Sequence, residues 1–464
     1  MNRPSPVSGL RLFACAAAAA ILLAAVQLPS AGSAAAAGIS PLDATEIQFS
    51  YEKLRADFYK KTEPQSIVDG ARAELERELH TAGVQASLPP IFADDNAGRT
   101  AKAVGHEVDL ASRFAHGKMS SHLLAYAAIS GMLNSVHDKY TVFLSPKEYA
   151  QLNEGLDGGS FAGTGIVIQV DDNTKYIDVS NVVPDGPADK AGVHQDDTIT
   201  AIDGQSTKNL TLQQASSHLR GKVGTVVQLT IERDGKPLTQ PIAITRAQIH
   251  ELSVYEKMLP NKIGYVELTV FGRDTGAELA RALDRLQQNG ARAIIMDLRD
   301  NGGGYLEAAL DVSSKFIASG PIVSVESRAS NVTTYEAEDT AIPPVPLAVL
   351  VNGHTASASE ITSGAIQDSG VGAIIGTRTF GKGVVQEILP MPDGSAIKIT
   401  DARYLTPHNR DINHLGITPD IVVDENKSAR YGDPTRDTQL TRALQYLNDK
   451  IAHSDGSGSS GTQQ

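Results

Sequence analysis

The chain reads as a multidomain α+β protein because its hydrophobic period changes twice. Apolar residues recur at helical spacing up to about residue 154, then short β-branched runs take over, and from residue 248 strands and helices alternate. With 464 residues and 41% apolar content there is material for about three cored domains.

Residues 1–37 carry a targeting signature. Arg3 and Arg11 precede an Ala/Leu/Ile/Val run from Leu12 to Leu28, and Pro29 with SAGSAAAA supplies small-residue cleavage options. An uncleaved membrane anchor is the rival reading, since the run approaches spanning length. A cleaved signal peptide is the expectation, and with it an exported protein in the periplasm or otherwise outside the cytoplasmic membrane. Cys15, the only cysteine, lies inside the run, so the mature chain has neither disulfides nor thiolate metal sites. A net charge of −13 argues against nucleic acid as a partner.

Residues 43–154 form a helical region. YEKLRADFYKK and VDGARAELERELH place apolar residues three and four apart, and LLAYAAISGMLNSV adds a further helix. Ser145 and Glu148 have capping-box spacing ahead of a short helix. Residues 155–247 are β-rich: GTGIVIQV, YIDVSNVV, DTITAIDG and VVQLTIERDG read as strands. GPADKAGV and TLQQASSHLRG read as two helices among them, and Asp234-Gly235 as a hairpin turn. At the entrance of this module, Gly163, Thr164, Gly165 and Ile166 expose successive N–H groups, a nest suited to a C-terminal carboxylate.

Residues 248–425 alternate KIGYVELTVF, TGAELARALDRLQQNG, ARAIIMDLRD, GYLEAALDVSSKFIASG, PLAVLVN, SASEITSGAIQDSG and VGAIIGT, an α/β pattern with a largely buried sheet. Residues 426–452 hold a last helix, TRALQYLNDKIAH, and the polar residues 453–464 are expected to be disordered.

The chemistry lies in this third region. PLAVLVN-GHTASASE-ITSGAIQ is strand, turn, helix, which puts the Ser357 hydroxyl near the positive end of a helix and leaves the Ala358 N–H free for an oxyanion. Locally, Ser357 and Glu360 match a capping box equally well. Lys382 lies between Gly381 and Gly383, where close backbone approach excludes water and lowers a lysine's pKa, although a solvated lysine in a glycine turn fits the same four residues. If VVQEI is a strand, Gln386 shares a face with Lys382 and orients its amine without restoring a proton. Asp300-Asn301-Gly302-Gly303-Gly304 follows a strand and offers Gly302 or Gly303 as a second oxyanion donor. His354 is too close in sequence to Ser357 for a base, and G-x-S-x-G, S-x-x-K and H-E-x-x-H are all missing from the relevant positions.

Taken together, these stretches resemble the carboxyl-terminal processing peptidases, tail-specific Ser–Lys proteases. The resemblance rests on DLRDNGGG, VNGHTASASEI, TFGKGVVQ, ITDARYLTP, GITPDI and SGMLNSVHDKYTVFLSPKEY, and it spans residues 45–425. Residues 155–246 resemble a PDZ domain. The resemblance implies a ClpP/crotonase-like core, Ser357 as nucleophile, Lys382 as general base, Gln386 as the lysine-orienting residue and Glu360 in support. It also implies Ala358 with Gly302 or Gly303 as oxyanion donors, a PDZ module that binds substrate tails at Gly163–Ile166, and Arg220 coupling that module to the core. His354 stands where a small or polar residue is commoner in the family, and Asn409 where a glycine is usual. The expected function is serine endopeptidase cleavage near protein C-termini. The expected partners are protein or peptide C-termini; no metal or cofactor is implied, and the terminal helices leave a homo-oligomer open. An inactive PDZ scaffold or chaperone-like tail binder is the alternative, and the intact Ser357, Lys382 and Gln386 argue against it.

Overall fold

The computed structural model describes residues 38–457 apart from 157–159, 172–173, 184–185, 251, 329–330, 427–431 and 433. The leader 1–37 and the last residues of the polar tail, 458–464, lie outside the described residues.

The helical region comprises α1 (Pro41–Asp57), α2 (Pro64–Thr81), α3 (Ala97–Ala115) and α4 (Ser121–Asn134), followed by strand β1 (Val142–Leu144) and α5 (Pro146–Leu156). Its core is an apolar cluster including Ile47, Tyr51, Leu75, Leu79, Val104 and Leu124. Helices α2 and α4 touch through glycines: a Cβ on Gly131 would lie 2.3 Å from the Gly70 carbonyl oxygen, so no side chain fits at the crossing. The Ser145–Glu148 box forms as expected, with Ser145 N–H on Glu148 Oε2 at 2.9 Å.

The β-rich module contains β2 (Ser160–Gly163), β3 (Ile166–Val170), β4 (Ile177–Val182), α6 (Pro187–Lys190), β5 (Thr198–Ile202) and β6 (Gln205–Ser206). It continues through α7 (Leu212–Leu219), β7 (Val226–Arg233), β8 (Lys236–Pro237), β9 (Ile242–Thr245) and β10 (Ala247–His250). Its sheet runs β3-β4-β5-β7-β8, which leaves β3 as an edge strand, and α7 packs against that strand. The chain enters and leaves the module through one antiparallel ribbon, β2 with β10.

The third region holds β11 (Val254–Leu259), β12 (Ile263–Leu268), α8 (Thr275–Gln288), β13 (Ala293–Asp297), α9 (Leu306–Ser314), β14 (Pro321–Ser327) and β15 (Val332–Glu336). After these come β16 (Leu347–Val351), α10 (Ala358–Ser369), β17 (Ala373–Gly376), β18 (Val384–Pro390), β19 (Ala396–Leu405), β20 (Ile421–Val422) and α11 (Thr438–Ser457). The main sheet has the order β11-β12-β13-β16-β17-β20, parallel from β12 onward. Helices α8, α9 and α10 cover one face and α11 the other, so β13 and β16 are buried on both sides and read as unbroken apolar runs. The mixed helix-and-sheet architecture agrees with the expected α+β class. α11 continues to Ser457, past the expected start of a disordered tail; its apolar stripe is anchored by Leu440, Leu447 and Ile451.

A second sheet, β1-β19-β14-β15 with β18 also on β19, was not anticipated. It joins the regions. β1, from the helical part, pairs with β19 (Val142↔Lys398), and Met391, Ile397 and Ile399 are buried within the helical core.

Candidate active site

β16 delivers the chain to a tight turn. The Asn352 N–H donates to Thr355 Oγ1 at 2.9 Å, and that hydroxyl donates to the Leu298 carbonyl at 2.8 Å. Asn301 holds the turn from the facing loop: its carbonyl accepts from the Ala356 N–H at 3.0 Å and from Ser359 Oγ at 3.0 Å. Ser357 then takes φ 57° and ψ −118°, a conformation natural only for glycine, immediately before α10. Such strain persists only where the surroundings over-determine it. Gly303 (φ 96°) is part of that constraint, since a Cβ there would lie 2.8 Å from the Ser357 Cβ.

Neither the Ala358 nor the Gly302 N–H has an acceptor among the described residues; Ala358 follows Ser357 directly, and Gly302 adjoins Gly303, which packs against the Ser357 turn. The Gly303 N–H is engaged: it donates to Asn301 Oδ1 at 2.9 Å.

Lys382 sits just before β18 and is brought to Ser357 by two side chains. Glu360 Oε2 accepts from the Ser357 N–H at 3.0 Å and from the Lys382 N–H at 2.9 Å, which holds the two nitrogens within about 6 Å. Its other oxygen takes the Gly381 N–H at 2.8 Å and the Thr379 hydroxyl. On the opposite side, the Tyr404 hydroxyl lies 2.6 Å from the Lys382 carbonyl and 3.2 Å from the Ser357 carbonyl. Both side chains are buried. Burial pushes the Glu360 carboxyl up from its ordinary value, against its donors.

Lys382 Nζ lies over the Tyr140 ring, 4.9 Å from its centroid. Burial is the main reason its pKa falls to about 8; the nearby Lys398 lowers it further, and Glu360 and Asp138 oppose the fall. Near neutrality roughly a tenth of the amine is then neutral, far more than for an ordinary lysine. Lys398 is itself held below its ordinary value by burial.

Gln386 does not reach Lys382 among the described contacts. Its Nε2 donates to the Val384 carbonyl at 3.3 Å, and β18 begins only at Val384, so Lys382 lies outside the regular alternation that a common face requires; the extra residue of the local bulge, Asp401, belongs to β19. His354 is exposed and faces Asp300, with Nδ1 3.0 Å from Oδ1.

In the β-rich module, Gly163 ends β2 and Ile166 begins β3, with Thr164 buried and Gly165 at φ 76° between them. The Thr164 carbonyl accepts from Ala188 and the Gly165 carbonyl from Val183, each at 2.9 Å, which fixes the loop between β2 and β3. Arg220 caps the far end of α7.

Tyr404, Asn301, Thr379 and Tyr140 complete the site without having been singled out from sequence. Only Asn301 carried a local signal, its place in the DNGGG turn.

Comparison with known proteins gives a consistent picture. Peptidase family S41 matches residues 262–423, and the PDZ domain family matches residues 154–232. A carboxyl-terminal-processing protease of Picosynechococcus sp. is 37% identical over 328 residues, 70% of this chain and 79% of that protein. A chloroplastic C-terminal processing peptidase of Tetradesmus obliquus is 35% identical, covering 66% of this chain and 69% of its own. Among solved structures, a photosystem II D1 C-terminal processing protease is 27% identical and covers 83% of this chain and 94% of that chain, with a TM-score of 0.45.

Proposed function

The chain belongs to peptidase family S41, the carboxyl-terminal-processing serine proteases, and from that premise we propose that it cuts proteins near their C-termini with Ser357 as nucleophile and Lys382 as general base. The observation that carries the assignment is the double tie between the two residues, Glu360 on their N–H groups and Tyr404 on their carbonyls.

The neutral Lys382 amine takes the Ser357 hydroxyl proton as Oγ attacks the scissile carbonyl. The oxyanion that forms is met by the Ala358 N–H and, across the turn, by the Gly302 N–H. The Lys382 ammonium then protonates the leaving amine as the C–N bond breaks, which leaves an ester on Ser357. Water, deprotonated by the same amine, attacks the ester; the C–Oγ bond breaks, Lys382 returns the proton to Ser357 Oγ, and the new C-terminus leaves as a carboxylate. Gln386 orients the lysine when its carboxamide leaves the Val384 carbonyl.

The PDZ module selects the substrate. A protein tail adds to edge strand β3, its carboxylate meets the loop at Gly163–Ile166, and Arg220 relays the module's position to the core. Residues 1–37 direct export and are removed or retained as an anchor; no described helix is long and apolar enough to cross a membrane. N-terminal sequencing of the exported protein separates these two fates.

Separate Ser357→Ala and Lys382→Ala variants test the assignment on an unstructured peptide substrate. Each should lose on the order of 10⁴-fold in kcat/KM. Wild-type cleavage by either variant refutes the assignment of that residue.

A further inference from the structure

The catalytic lysine touches a residue from outside the protease core. Tyr140 belongs to the loop between α4 and β1, in the helical region. Its ring is half-buried, and its face lies 4.9 Å from Lys382 Nζ. We infer that Tyr140 is a positioning residue for the general base: its ring face holds the Lys382 amine against the core and keeps water from the amine's outer side. The inference rests on Lys382 being the base.

The loop is built to hold that ring still. Asp138 Oδ2 accepts from the Thr141 hydroxyl at 2.8 Å and from the Thr400 hydroxyl of β19. The Thr400 N–H donates in turn to Thr141 Oγ1 at 3.1 Å. One residue further on, β1 locks into register with β19, Val142 opposite Lys398. Lys139 covers the outside, its Nζ 4.8 Å from the Tyr140 centroid and 5.2 Å from the Phe380 centroid. Tyr140 is therefore fixed on both sides by bonds to the very strand that carries Tyr404.

Several charged groups bear on Lys382: Lys398 from β19, Glu360 from α10, and Asp138 and Lys139 from the Tyr140 loop itself. The ring adds an opposing pull, because an aromatic face attracts an ammonium. Burial outweighs these influences, so the hydration admitted by removing the ring sets the sign of the effect.

The test is the pH profile of kcat/KM on an unstructured peptide, with melting temperature measured beside it. Wild type should rise through a midpoint of about 8. Tyr140→Ala should move that midpoint up by about one unit, toward the ordinary lysine value, with about tenfold less activity near neutrality. Tyr140→Phe keeps the face and should keep the profile. An unmoved or lowered midpoint in a folded Tyr140→Ala overturns the inference, and so does a Phe variant as damaged as the Ala variant. Should Tyr140→Ala fail to fold, Thr141→Val, which frees the loop without emptying space, must shift the midpoint the same way; no shift there also overturns it. Lys382→Ala separates the two readings. If that variant keeps its activity, the base itself is misassigned; if it is inactive while Tyr140→Ala leaves the midpoint in place, only the role of Tyr140 falls.

Discussion

The Ser357 turn, which carries the proposed nucleophile, and the Lys382 loop, which carries the proposed base, meet at Glu360 but are built in different ways. Ser357 is held in a strained backbone conformation, φ 57° and ψ −118°, by its neighbours in the turn and by the DNGGG loop. Lys382 has an ordinary chain setting between two glycines, and what is unusual is its lack of water. Backbone strain does not depend on pH, whereas desolvation of an ammonium does. The two halves of the site can therefore be separated by experiment, through which changes are felt at every pH and which are not.

Glu360→Ala should have the largest effect because it breaks both halves together. It orphans the N–H groups of Ser357, Gly381 and Lys382 and the Thr379 hydroxyl. Unmade bonds of this kind cost about 1–3 kcal/mol each, offset by removing a buried carboxyl, so a loss of about 4 kcal/mol is expected in denaturant unfolding. Activity should fall on the order of 10³-fold. Glu360→Gln keeps one accepting oxygen and should lie between. Retained activity with lost stability would show that the tie only supports the fold.

Lys382→Met removes the pH-dependent half alone. The folded-state pKa of about 8 lies below the ordinary value of 10.5, so the unfolded chain binds more protons between those two values. Native stability therefore rises with pH across that window, and the full penalty of a buried ammonium is present below it. Replacement by methionine should stabilise the protein by roughly 2–3 kcal/mol near neutrality, and the gain should vanish above the ordinary lysine pKa. Melting curves of both proteins across this range check it; a gain that is constant with pH would mean that packing, not charge, is involved.

The same contrast explains what the sequence made legible. The nucleophile turn is local: strand, NGHTASASE and helix are contiguous, so both the placement of Ser357 and the Glu360 cap could be anticipated. The alternation of strands and helices in the main sheet was legible for the same reason. The base loop is assembled from afar. Tyr404 arrives on a second sheet whose β1 strand comes from the helical region, and Tyr140 arrives with it. No periodicity within FGKGVVQ encodes either contact. Gln386 illustrates the limit most sharply, since period-two reasoning assumes a strand that already includes Lys382, whereas β18 begins only at Val384.

Gln386→Glu examines which way residue 386 turns. A carboxylate that swings to Lys382 raises the lysine's pKa, so the rising limb of activity should move up by about one unit, with about tenfold less activity near neutrality. Gln386→Ala should lower kcat without moving the limb. If the glutamate variant leaves the limb in place, the residue at 386 stays turned toward its own strand and takes no part in orienting the base.

Ser357→Gly, inactive for want of the hydroxyl, should show the smallest effect on stability and isolate the other half. Glycine adopts the observed φ and ψ without strain, worth about 1–3 kcal/mol, but it loses about 0.5–1 kcal/mol through greater freedom in the unfolded chain. A net gain of about 1 kcal/mol is expected, equal at every pH because no titrating group is involved. Ser357→Ala is the control: it removes the same hydroxyl but keeps the Cβ that causes the strain, so its stability should match the wild type. If both variants gain equally, the hydroxyl and not the backbone is the source, and the turn is no more strained than the loop it faces. If only glycine gains, and does so without pH dependence while Lys382→Met gains only below the lysine pKa, then strain and desolvation are separate devices joined at Glu360.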